Sequence, residues 1–68
     1  MDAIKTWLET KCGKHLTITE RGNDLELTPQ SDVLNGYYLK EICKAVDVFG
    51  KSMLVKAELK RGIYILIW

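Results

Sequence analysis

Residues 62–68 read Gly62-Ile63-Tyr64-Ile65-Leu66-Ile67-Trp68, GIYILIW, with six large apolar side chains in an unbroken run. Side chains alternate across a strand, so Ile63, Ile65 and Ile67 share one face and Tyr64, Leu66 and Trp68 the other. A strand that is apolar on both faces belongs inside a sheet, since at an open edge it would recruit other chains. The flanking segments then determine what surrounds it.

Just upstream, SMLVKAELK (52–60) alternates: Met53, Val55, Ala57 and Leu59 fall on one side, Lys56, Glu58 and Lys60 on the other. Arg61-Gly62 is a turn signal, so the two segments form a hairpin. A second hairpin is predicted over 15–28. Leu16 and Ile18 alternate with Thr17 and Thr19, Leu25 and Leu27 with Glu26 and Thr28, and Arg21-Gly22-Asn23-Asp24 supplies the turn. Pro29 has no N–H for a ladder and ends that strand or marks an edge.

Two helices precede the hairpins. In 2–12, Ile4, Trp7, Leu8 and Cys12 recur at helical spacing, Asp2 suits the positive end of the dipole, and Gly13 is placed for a left-handed cap. In 37–49, Leu39, Ile42, Cys43, Val46 and Phe49 make the apolar stripe, flanked by Tyr38 and closed by Gly50. Between the second strand and this helix, Ser31 and Asp32 suit a helical turn, and Asn35 suits the helix cap.

The 68 residues therefore predict one α+β domain spanning 1–68, in the order α-β-β-α-β-β. Two helices cover one face of a four-stranded sheet. Placing GIYILIW between the neighbouring strand and the first strand gives the order 2-1-4-3. Ile63, Ile65 and Ile67 then pack under the helices with Leu16, Ile18, Leu25, Leu27, Val55 and Ala57.

Composition narrows the function classes. With 47% apolar and 28% charged residues the chain is globular rather than disordered. Residues 1–36 hold four basic and six acidic side chains, and residues 37–68 hold six basic and three acidic. The sum, +1, exerts little pull on nucleic acid or anionic membrane. Two cysteines fall short of a disulfide framework, and no apolar run approaches the ~20 residues of a membrane span, so a cytoplasmic protein with reduced thiols is expected.

Candidate chemistry is sparse. Cys12-x-x-His15 with Cys43 offers three ligands where structural zinc takes four, and both cysteines lie on apolar helix stripes. Cys–His catalysis needs an exposed thiolate beside a base. Glu20, Asp24 and Glu26 surround a hairpin tip and read as solvated. The five glycines are spaced as element terminators, not as a phosphate loop. No catalytic, metal or cofactor-binding residue is assigned, and a non-enzymatic role is expected.

What remains is the face opposite the helices. Tyr64, Leu66 and Trp68 form an apolar strip there, with Lys56 and Lys60 at its rim. An apolar patch inside a polar rim is the form of an interaction surface, and tyrosine and tryptophan are frequent anchors. The expected partner is a protein, a second copy being the simplest, through these five residues. The alternative is a nucleic-acid-binding accessory protein stacking bases on Tyr64 and Trp68; interleaved acidic residues and near-zero net charge weigh against it.

Overall fold

A computed structural model describes residues 2–30 and 36–68. The chain forms α1 (Asp2–Cys12), β1 (Leu16–Arg21), β2 (Asp24–Pro29), α2 (Gly36–Val48), β3 (Met53–Glu58) and β4 (Gly62–Ile67). Two helices lie on one face of a four-stranded antiparallel sheet, as the alternation of apolar residues predicts. The cap expected of Asn35 and the turn expected at Ser31 and Asp32 lie outside the described residues.

The strand order is β1-β2-β4-β3. GIYILIW is central, but its second neighbour is β2, not β1 as the 2-1-4-3 order required. The physical reason lies in the crossover. α2 carries the chain back along the sheet, so Leu25 and Met53 both lie level with Ile67. β3 thus runs parallel to β2, and β4 antiparallel to it. Beside β2, β4 makes an antiparallel pair; beside β1 it would have made a slightly weaker parallel one.

The β1–β2 hairpin is regular from Leu16↔Pro29 to Arg21↔Asp24. Its two-residue loop turns left-handed at Gly22 alone (φ 63°), the arrangement of a type II′ turn, which matches strand twist. α2 ends in a Schellman motif: Lys51 N–H donates to the Val46 carbonyl (2.9 Å) and Gly50 N–H to Asp47 (3.2 Å), with Gly50 at φ 63°. Gly13 does not form the left-handed cap expected of it. Its N–H continues the helical bond to the Glu9 carbonyl, and a side chain there would collide with that carbonyl.

The core lies between the helices and the β1-β2-β4 part of the sheet. Ile4, Leu8 and Cys12 of α1 meet Tyr38, Ile42 and Ala45 of α2 above Leu16, Leu25, Leu27, Ile65 and Ile67. Trp7 and Phe49 close its rim edge to face, at 5.7 Å between ring centroids. Two expectations fail here. α2 is rotated so that Ala45 points inward and Cys43 is exposed. Val55, Ala57 and Ile63 also remain exposed, because two short helices do not reach across to β3.

Candidate functional site

Neither described helix lies over the outer face of the sheet, and one row of residues crosses it on all four strands. Thr19 pairs Glu26, Glu26 pairs Leu66, and Leu66 pairs Leu54. Glu26 is 6% exposed, although its neighbours on either side along β2 point into the core. A carboxylate so placed needs compensation. Arg61 donates from the β3–β4 turn at 2.6 Å, and Arg21 donates through Nε at 3.1 Å from the end of β1. The Arg61 bond, with Arg21 adding to it, holds the Glu26 carboxyl below the usual carboxylate range and pushes the Arg61 guanidinium up. The solvated reading of Glu26 is thereby corrected.

Arg61 acts twice. Its guanidinium also lies 3.8 Å from the centroid of the Tyr64 ring, a cation–π contact. The Tyr64 hydroxyl donates to Glu58 at 2.8 Å. Tyr64 is consequently only 4% exposed. It lies on the outer face as alternation requires, but its ring is covered by Arg61 and unavailable for stacking.

The other four residues expected at the interface are placed differently. Trp68 is 51% exposed, and its backbone is pinned by two bonds exchanged with Ser52 (2.9 and 3.0 Å). Leu66 is half-buried, and Lys56 is exposed opposite Tyr64. Lys60 is exposed in the turn after β3. The register therefore brings Leu66 and Trp68 together on the open end of the outer face, with Lys56 beside them, and leaves Tyr64 sealed at the clamped end.

Leu54 belongs to this open end and was missed. It lies directly across from Leu66 and is 48% exposed. Its signal was in the sequence: Leu54 shares the parity of Lys56 and Glu58, so it is an apolar residue on the face that otherwise reads as polar. Leu54, Leu66 and Trp68 form one continuous apolar strip. The Arg21–Glu26–Arg61 clamp lies on one side of it and the open edge of β3 on the other.

Elsewhere the chemistry is plain. Cys12 is buried, and burial, with the charge of Glu41 adding, raises its thiol pKa and disfavours the nucleophilic thiolate. Cys43 is exposed, with its Sγ 3.9 Å from the Met53 sulfur. His15 is exposed and stacks on Tyr38. Among the described residues, no three His, Cys, Asp or Glu side chains gather as a metal would require. An open depression at the α1–β1 corner is lined by Glu9, Lys11, Lys14, His15 and Tyr37, with charges of both signs. No described helix is long and apolar enough to cross a membrane. In comparisons with known proteins, no family model, no curated protein and no solved structure matches this chain.

Proposed function

We propose that this protein is a small non-enzymatic interaction module. It holds a protein partner, another copy of itself or a different chain, against the outer face of its sheet. The observation that carries this reading is the strip of exposed Leu54 and Trp68 with half-buried Leu66, which neither described helix covers. Apolar strips with a polar rim mark contact surfaces, and a tryptophan at the strip's end is a suitable anchor. Lys56 supplies the rim, where charges set orientation and on-rate more than affinity, while Lys60, in the turn at the Gly62 end, lies away from the strip. Tyr64 is not an anchor in this reading. It stiffens the clamped half of the face, so that the partner meets a preformed surface.

Nucleic acid is the weaker reading for a specific reason: both arginines on this face are already paired with Glu26, and Arg61 covers the Tyr64 ring, leaving Trp68 of the two aromatic rings open for stacking. Trp68→Ala and Leu66→Thr provide the test, with fold checked by circular dichroism. Wild type should capture a protein from cell extract that both variants release, and a copy held by the outer face would be released by both variants in a light-scattering dilution series as well. Equal capture of other proteins by all three, together with equal self-association, would remove the outer face from consideration.

A further inference from the structure

The edge strand β3 is exposed along nearly its whole length, and from the observations on it we infer that it pairs with β3 of a second copy, making one continuous eight-stranded sheet. This surface is separate from the outer-face strip and goes beyond that reading.

The ladder fixes which backbone groups are open. Ser52 and Trp68 exchange both N–H···O=C bonds. Antiparallel pairs alternate between bonded and non-bonded, so Leu54↔Leu66, Lys56↔Tyr64 and Glu58↔Gly62 are the bonded pairs that follow. Met53, Val55 and Ala57 therefore turn their N–H and C=O away from β4, toward the free edge. They are also the residues whose side chains lie on the helix side, where Val55 is 49% exposed.

A two-fold axis through Val55 satisfies all of these groups at once. Val55 faces its own copy, Met53 faces Ala57 of the second chain and Ala57 faces Met53, giving six backbone hydrogen bonds from three pairs. On the helix side the new contacts are all apolar, with a β-branched pair at the centre. On the outer side each Leu54 lies across from Lys56 of the other chain, whose aliphatic stem can cover it. Charge selects this register. Shifting the axis to Lys56 sets the two lysines directly opposite, in the close non-bonded position, and leaves only four bonds. In the Val55 register no like charges are opposed, Glu58 meets Ser52, and each chain brings a net charge of only +1.

The other edge does not offer this. The apolar residues of β1 are turned to the core, and its last three positions are Thr19, Glu20 and Arg21. One paired strand buries less than the ~800 Å² per partner of a standard interface, so the dimer should be weak, with dissociation in roughly the micromolar to millimolar range.

The test is sedimentation velocity across a dilution series on the full chain. Val55→Pro deletes only an outward N–H, and Val55→Lys opposes two charges at the axis while keeping the β3–β4 ladder. Each should weaken dimerisation by at least about tenfold, while Trp68→Ala leaves it unchanged. Should the proline variant misfold, the lysine variant decides alone. With Cys43→Ser removing the exposed native thiol, Val55→Cys should form an intermolecular disulfide under oxidation, reporting the register. A dimer lost in Trp68→Ala but kept in Val55→Lys would overturn edge pairing and favour outer-face self-contact. A wild type that stays monomeric to millimolar concentration overturns edge pairing, and the outer face then rests on capture of a different protein.

Discussion

Glu26 lies between Leu25 and Leu27, both fully buried, and its own side chain is almost as inaccessible. In the sequence it reads as the polar position of an alternating strand, because its two partners are five and thirty-five residues away. No local pattern announces them. The linkage has a definite sign. Donation from Arg61, then from Arg21, depresses the folded pKa of Glu26, so its contribution is fully present above the ordinary glutamate value, about 4.3. It is lost as pH falls through the folded value. Glu20, lowered by its bond from Lys5 (2.9 Å), titrates in the same window but is a surface pair of small weight. Urea denaturation at pH 7 and pH 3 should therefore show Glu26→Gln less stable than wild type at pH 7 and distinctly less sensitive to acid. An acid limb unchanged in the variant would mean that the clamp contributes nothing to folding. Tyr64 illustrates the same gap: its aromatic character and its face were legible, but the Arg61 cover that removes it from the interface was not.

Every element could be placed from periodicity to within about two residues, because apolar spacing switches cleanly between the helical and strand periods. Faces were less secure. On α2 the predicted stripe included Cys43 at its margin, whereas the observed inward face is turned the other way to take in small Ala45; periodicity fixes a stripe's direction only to about one residue. On β4, Ile63, Ile65 and Ile67 are equivalent in sequence, yet Ile65 and Ile67 are completely buried and Ile63 is 37% exposed. Helix length explains the difference, since neither described helix covers the Gly62 end. Truncation should separate them: Ile65→Ala should cost about 2–5 kcal/mol in urea denaturation and Ile63→Ala about 1 kcal/mol or less. Comparable losses would mean that the helices reach farther over the sheet. The end of α2 gives an independent check. Gly50→Ala forces a side chain into left-handed backbone and should cost about 1–2 kcal/mol, although nothing crowds that position. A neutral result would show that the Schellman cap frays without cost.

At the scale of the molecule, the sequence was informative about which strand is central and uninformative about one of its neighbours. β1 and β2 carry almost the same alternation, Leu16 and Ile18 against Leu25 and Leu27, so side-chain pattern alone does not choose between them. Direction does choose: an α2 of 13 residues, about 20 Å long, returns the chain across the sheet and makes β2 the antiparallel neighbour of β4. The buried Glu26 is a consequence of that choice, because a central β2 must bury its outer-face residue beside Leu66 while an edge β2 need not. The two orders differ in amide hydrogen exchange. With β2 and β4 central, the amides of Leu25, Leu27, Ile65 and Ile67 are held from both sides or shielded beneath the helices, and should exchange only on global unfolding. Alternate amides of β1 and β3 point away from the sheet and should exchange orders of magnitude faster in the monomer. The decisive strand is β1, central in one order and an edge in the other. Protection of every β1 amide at the level of Ile65 would restore 2-1-4-3 and move Glu26 away from Leu66. An alternating pattern in β1 would establish the clamp and the apolar strip as two halves of one outer face.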